Sequence, residues 1–239
     1  LSGADTAGSV ASYRMEAAMR VLERVKPLAL AGLIAIGTLA QSNPLQAQST
    51  EVLTVAGGCF WCVESDFESV PGVIEAVSGY TGGNMKNPTY KDVTRGGSGH
   101  YEAVQIIFDP AKVSRERLLK MFFRSIDPTD AGGQFCDRGE SYRTAVFVSN
   151  KAETALANRV KADAQKALGQ KIVTPVLPAK TFYKAEDYHQ DYYKGDSLVF
   201  TRFGPKRQAA AYERYRQACG RDARVGQLWG TAAPFAKGH

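Results

Sequence analysis

Val52-Leu53-Thr54-Val55-Ala56-Gly57-Gly58-Cys59-Phe60-Trp61-Cys62-Val63-Glu64 decides the reading of this chain. An apolar, β-leaning run enters two glycines and leaves through a cysteine, two aromatics and an acidic residue. That order predicts strand, tight turn, helix. It puts Cys59 at a helix N-terminus, where unpaired backbone N–H groups favour negative charge. A thiol there is expected to lose its proton more readily, and the thiolate is the nucleophile. Phe60 and Trp61 supply an apolar wall. The competing reading of the same residues is an inert cysteine in an aromatic core.

Working outward, Val70-Pro71-Gly72-Val73 is a turn and Ile74 to Tyr80 alternates like a strand. Thr81 to Gly99 reads as a long loop, a kind of segment that is usually functional. Tyr101 to Phe108 is a strand with Glu102, Val104, Ile106 and Phe108 on one face. Ser114 is an N-cap candidate for a helix running to Ile126. Asp127 to Gly139 is a second loop. Arg143 to Ser149 is a buried strand, Lys151 to Leu168 a helix ending at Gly169, and Ile172 to Val176 a further strand. Gln208 to Cys219 looks helical, and the last residues read as an irregular tail. Strands alternating with helices predict a two-layer sandwich of the α/β or α+β class.

The first part of the chain reads differently. Met19-Arg20 opens a basic region with Arg24 and Lys26, an apolar stretch runs from Pro27 to Ala40, and small residues follow near Ala47. This is the layout of a secretory signal peptide, too short for a comfortable transmembrane helix. Residues 1–48 are therefore expected to lie outside the fold, and 49–239 to form a single catalytic domain with a helical C-terminal extension. The protein is expected to be exported, to the periplasm or beyond, and to meet a membrane only if that segment stays uncleaved. The net charge of +6 is spread out, with no basic stripe interleaved by aromatics, so nucleic-acid binding is a poor reading. All four cysteines (Cys59, Cys62, Cys136 and Cys219) follow the export segment. An even count in such a compartment suggests structural disulfides, but a redox-cycling reading is preferred because Cys59 reads as catalytic. Cys59 and Cys62 have zinc-ligand spacing, but no second pair completes a site, so no metal and no cofactor is expected.

Gly58-Cys59-Phe60-Trp61 followed by Glu64 resembles the nucleophile motif of the peptide methionine sulfoxide reductase A family. Further segments match in the same order: Gly79-Tyr80-Thr81-Gly82-Gly83, Asn87-Pro88-Thr89-Tyr90, Gly99-His100-Tyr101-Glu102, Asp137 to Arg143, and Ala185-Glu186-Asp187-Tyr188-His189-Gln190. Together they cover roughly positions 51 to 203. The resemblance implies a mixed β-sheet with a βαβ core, ferredoxin-like, with helices packed on it and long coil segments around the site. It implies reduction of the S epimer of methionine sulfoxide, in proteins and in free form; the protein is expected to be a monomer.

Reducing a sulfoxide with a thiol needs a nucleophile for sulfur, a proton for oxygen and a pocket for the methyl. Cys59 is the candidate nucleophile. Glu102, a carboxyl on an apolar strand face, suits a raised pKa, and the resemblance makes it the proton donor. The resemblance also selects Tyr90 and Tyr142, among eleven tyrosines, to hold the oxygen. It gives Asp137 and His189 substrate-binding or site-ordering roles, and Phe60 and Trp61 the methyl. Cys59 would then carry a sulfenic acid, a second thiol would condense with it, and a thioredoxin-like dithiol would restore both. Asp191 to Pro205 lacks the recycling cysteines of many family members. Cys219, then Cys136, then Cys62 are the resolving candidates. Glu140-Ser141 also departs from the commoner neutral pair. Two other functions remain open at this point: a thiol–disulfide oxidoreductase using Cys59 and Cys62, and a non-catalytic binding module.

Overall fold

A computed structural model describes residues 49–236. The export segment expected over 1–48 lies outside the described residues. Strand β1 (Glu51–Gly57) enters helix α1 (Phe60–Glu68), which crosses to β2 (Val73–Thr81). A short helix, α2 (Tyr90–Thr94), precedes β3 (Tyr101–Phe108), and α3 (Arg115–Phe123) follows it. Strand β3 lies between β1 and β2, antiparallel to both. The expected βαβ core is therefore split by a third strand.

Two-residue strands β4 (Gly133–Gln134) and β5 (Asp137–Arg138) pair with each other. Then come β6 (Thr144–Val148), α4 (Lys151–Leu168), β7 (Val176–Pro178) and β8 (Tyr183–Lys184). The main sheet has the order β7-β6-β1-β3-β2-β8 and is mixed, because β6 and β7 run parallel. A hairpin of β9 (Leu198–Thr201) and β10 (Gly204–Arg207) leads into helices α5 (Gln208–Cys219) and α6 (Arg221–Trp229). Among the described residues no helix is long and apolar enough to cross a membrane.

Strand alternation sorts the core. Leu53, Val55, Val104, Ile106 and Phe108 face the helices, where they meet Leu118, Leu119, Phe122 and Phe123 of α3 and Ala157, Val160 and Ala164 of α4. The opposite sheet face buries a smaller cluster around Tyr101, Ala103 and Phe147, covered by Leu177 and Phe182 rather than by a helix. That gives the two layers. Two helix ends are where the sequence placed them, with Ser114 Oγ accepting from Arg117 N–H and Gly169 turning α4 off at φ 70°; Asn150 Oδ1 caps the start of α4 by accepting from Glu153 N–H at 2.9 Å, and α3 ends at Phe123, short of the expected Ile126.

Four further readings change. The loop from Thr81 to Gly99 contains α2, too short to show periodicity, held by a reciprocal cap between Thr89 and Asp92. The loop from Asp127 to Gly139 contains the β4–β5 pair. The strand expected over 172–176 forms at Val176–Pro178 instead, in a stretch where Pro175 and Pro178 can donate nothing to a ladder. The irregular tail is largely helix α6, started by Gly220 in the left-handed region (φ 69°), with Val225 and Trp229 in the main core.

Leu118 is fully buried. Leu118→Ala should cost about 2–5 kcal/mol by urea titration. Asn150→Ala should cost about 1 kcal/mol by loss of its cap and leave activity per folded molecule unchanged.

Candidate active site

Gly58 makes the turn from β1 into α1. Its φ is +80°, and an added Cβ would lie 2.5 Å from the Gln134 side chain, so a larger residue is excluded there. Cys59 follows as the N-cap of α1, and its carbonyl accepts from Cys62 N–H at 3.1 Å. The first helical N–H, that of Phe60, donates to Glu102 Oε2 at 3.1 Å. An orphan donor at the helix start is thus satisfied by a carboxyl group from β3. Glu102 is 2% exposed. Burial, reinforced by Asp137 and Cys62 against the Phe60 N–H and Tyr142, pushes its pKa up to about 8. It is a protonated acid at neutral pH.

Tyr90 and Tyr142 both lie within electrostatic reach of Glu102 and of each other. Burial holds both phenols well above the ordinary range. Tyr90 is fixed through its backbone, because its N–H donates to Glu186 Oε1 at 2.9 Å while Tyr80 O–H donates to Glu186 Oε2 at 2.9 Å. His189 is buried, and its Nδ1 accepts from Trp61 Nε1–H at 3.2 Å. Burial pushes its pKa down to about 4, so the ring is neutral. In that tautomer Nε2 carries the hydrogen, and it has no protein partner. The ring lies against Tyr90, with centroids 4.4 Å apart, and against Phe60 at 5.0 Å. Trp61 stacks on Tyr192 at 3.8 Å and meets Tyr215 edge-on at 6.2 Å. Asp137, half-buried on β5, accepts from Tyr215 O–H.

Cys59, Phe60, Trp61, Tyr90, Glu102, Asp137, Tyr142 and His189 therefore converge. The expectation that fails is an acidified Cys59. Burial first, then the hydrogen bond to Cys62, then the charges on Cys62, Glu102 and Asp137 push this thiol well above its ordinary pKa. The helix start that was to favour a thiolate already has an acceptor in Glu102. The lowered thiol is Cys62: its hydrogen bond from Cys59 comes first, helped by Arg221 and Arg216 against the cost of burial. Cys136 and Cys219 form a disulfide with each other, their Cα atoms 4.9 Å apart. Of the three resolving candidates, Cys62 is the one that stands as a free thiol against Cys59.

Sequence reasoning missed Glu186, Tyr192, Tyr215, Arg216 and Arg221. Tyr212, Tyr215, Arg216 and Cys219 stand at i, i+3, i+4 and i+7 of α5, one face of a helix, and that spacing could have drawn attention to the extension.

The comparisons agree with this geometry. The family model described as peptide methionine sulfoxide reductase matches residues 51–219. A peptide methionine sulfoxide reductase MsrA 2 of Caulobacter vibrioides is 49% identical over 210 residues, covering 87% of this chain and all of the relative. The protein of the same name from Rhizobium meliloti is 48% identical over 198 residues, 82% of this chain and 92% of its own length. Among solved structures, reduced Mxr1 of Saccharomyces cerevisiae aligns with a TM-score of 0.58 at 29% identity, over 64% of this chain and 88% of that one. Methionine sulfoxide reductase A of Corynebacterium diphtheriae aligns at 0.54 and 30% identity, over 62% and 75%. With a thiol, a protonated carboxyl group and two phenols gathered at the start of α1, and with matches of this extent, the chain belongs to the peptide methionine sulfoxide reductase family.

Proposed function

We propose that Cys59 is the nucleophile of this reductase, Glu102 its proton donor, and Cys62 its resolving thiol. The substrate is methionine S-sulfoxide, in proteins and free. The observation that carries this reading is the Phe60 N–H to Glu102 hydrogen bond, which holds a protonated carboxyl beside the N-cap cysteine.

In the first step the Cys59 sulfur attacks the sulfoxide sulfur while Glu102 gives its proton to the oxygen. Tyr90 and Tyr142 donate hydrogen bonds to that oxygen, a role supported by the electrostatic coupling of both buried phenols to Glu102. The oxygen passes to Cys59 as a sulfenic acid and methionine leaves, so the sulfoxide is reduced by two electrons and Cys59 is oxidised by two. Phe60 and Trp61 line the methyl side. The unpartnered Nε2–H of His189 and the Asp137 carboxylate meet the rest of the substrate. Cys62 then displaces the hydroxyl: Cys59–SOH and Cys62–SH give the disulfide and water. An external thioredoxin-like dithiol returns both sulfurs to thiols. A general thiol–disulfide oxidoreductase would leave Glu102, Tyr90 and Tyr142 without a task. We also propose that the protein is exported and acts as a monomer. Export is supported by the basic, apolar and small-residue order from Met19 to Ala47, and N-terminal sequencing of the protein from an envelope fraction tests it.

Cys59→Ser should abolish methionine production from a methionine S-sulfoxide peptide with dithiothreitol as reductant; sustained turnover in that variant rejects the assignment. Cys62→Ser should release one equivalent of methionine and accumulate the sulfenic acid, seen by dimedone trapping and mass spectrometry. A prompt intramolecular disulfide in that variant would give the resolving role to Cys136 or Cys219.

Glu102→Gln should slow the first turnover about 10²–10⁴-fold with little change in substrate binding. The wild-type first turnover should fall as pH rises through about 8, where Glu102 loses its proton. The same group links pH to stability. Its pKa is raised on folding, so its contribution is fully present below the unfolded carboxyl value and is lost as pH climbs through about 8. Urea midpoints at pH 5 and pH 9 should therefore differ less for Glu102→Gln than for wild type.

A further inference from the structure

Trp61, Glu64 and Glu68 stand at i, i+3 and i+7 of α1, on one face of the helix. The stretch from His189 to Lys194 runs along that face and meets each of them in turn. Trp61 donates from Nε1 to His189 Nδ1 at 3.2 Å and stacks on Tyr192 at 3.8 Å. Glu64 Oε1 accepts from Asp191 N–H at 2.5 Å. Glu68 Oε2 accepts from Tyr193 O–H at 2.5 Å and from Lys194 Nζ at 2.9 Å. The first of these contacts belongs to the substrate wall, and the last lies at the surface, where Lys194 is half exposed. Glu64 stands between them and is 1% exposed.

Asp191 is a joint. It separates the 3-10 turn Asp187–His189 from the 3-10 turn Tyr192–Lys194, and it sits in the left-handed region at φ 55°. A residue with a Cβ persists there only when its surroundings hold it. Two side chains do so. Gln190 pairs with Ser78 of β2: its Oε1 accepts from Ser78 N–H at 3.0 Å, and its Nε2 donates to Ser78 O at 3.1 Å. Glu64 takes the Asp191 N–H, and its Oε2 accepts from the Ser78 hydroxyl. One carboxyl group thus ties α1, β2 and the joint together. The neighbouring carboxylates of Glu68 and Asp191 share Lys194, at 2.9 and 2.8 Å. Burying a carboxyl is costly even when it is bonded, and burial pushes the Glu64 pKa up to about 7 against both hydrogen bonds. A leucine would fill the same space without that cost, so packing alone does not account for Glu64.

We propose that Glu64 is a positioning residue for the sulfoxide pocket: by accepting the Asp191 N–H it sets His189 and Tyr192 against Trp61, one turn away on the same helix. This rests on the reading that Trp61 lines the methyl side of the substrate. Glu64 acts through the joint and not on the reacting atoms. With the joint released, Tyr192 leaves the register that stacks it on Trp61, and His189 leaves the angle at which it accepts from Trp61 Nε1. The wall must then be ordered when substrate arrives, so binding bears the loss and the chemistry at Cys59 does not.

The test follows single-turnover methionine release against the concentration of a methionine S-sulfoxide peptide. Glu64→Leu keeps the space filled and removes the acceptor. It should raise the half-saturating concentration about tenfold, as for loss of one hydrogen bond to a charged acceptor, and leave the saturating rate within about twofold. Glu64→Gln keeps an acceptor for Asp191 N–H and a group that can bond Ser78, and should restore the wild-type value. Glu68→Ala, which breaks a surface ion pair, should stay within about twofold of wild type. The chain has two tryptophans. In a Trp229→Phe background, acrylamide quenching of Trp61 emission should rise in Glu64→Leu and not in Glu64→Gln. If Glu64→Leu does not fold, Glu64→Asp decides, because it keeps the charge and falls one methylene short of Asp191.

An unchanged half-saturating concentration in Glu64→Leu or Glu64→Asp overturns the proposal. So does an equal rise in Glu64→Gln or Glu68→Ala, or a loss confined to the saturating rate, or Trp61 quenching that does not move. Sustained turnover in Cys59→Ser rejects the underlying catalytic reading instead, and that result is read in a separate variant.

Discussion

The hydrogen bond from Phe60 N–H to Glu102 is the constraint on which the site depends. A helix start has donors without intrahelical acceptors, and a carboxyl buried on a strand needs a donor. Each group answers the other's desolvation across a separation of 42 residues. The split βαβ arrangement makes the meeting possible. Strand β3 lies between the two strands that α1 connects, so a side chain from its helix-facing side comes up beneath the first turn of α1. Gly58 completes the fit, because its positive φ turns the chain sharply enough to leave Cys59 as the N-cap rather than within the helix.

Burial has opposite consequences for the two groups this arrangement brings together. It raises the Glu102 pKa into the range where a carboxyl is still an acid at neutral pH. The same burial opposes ionisation of Cys59, which is 6% exposed. A site cannot use one dry environment both to keep a proton on the acid and to remove it from the nucleophile. The fold meets the first demand with the buried Glu102 and leaves ionisation of Cys59 opposed by burial.

How much of this was legible in the sequence follows from how local each signal is. Strand alternation from Tyr101 to Phe108 fixed the face of Glu102, and the glycine pair fixed the turn before Cys59, because both depend on near neighbours. The cap at Ser114 and the stop at Gly169 were legible for the same reason. The pairing of Cys136 with Cys219 was not: spacing says nothing about which sulfurs meet across a separation of 83 residues. Helix α6 was overlooked although Val225, Leu228 and Trp229 stand at i, i+3 and i+4: it is only nine residues long and carries Gly226 in its middle, so its stripe is a single turn among polar residues. The acidity of Cys59 was misread because helix-start electrostatics is a local rule, whereas desolvation and the occupation of Phe60 N–H by Glu102 are tertiary facts.

The C-terminal extension belongs to the site as much as to the fold. The Cys136–Cys219 bond ties the end of α5 to the β4–β5 segment, which carries Asp137. In the chain-entropy view a closed loop of this length removes about 4–5 kcal/mol of freedom from the unfolded chain. Locally it joins the two segments that supply Tyr215 and Asp137, and Tyr215 in turn meets Trp61 edge-on. Trp61 is thereby held on three sides: by Tyr192, by Tyr215 and by the hydrogen bond to His189. A ring fixed in this way presents a constant apolar surface at the cost of little further side-chain entropy when a ligand arrives. Arg216, one residue beyond Tyr215, carries the same constraint to Asp66 on α1. One helix therefore orders the aromatic wall through Tyr215 and braces α1 through the Arg216–Asp66 pair.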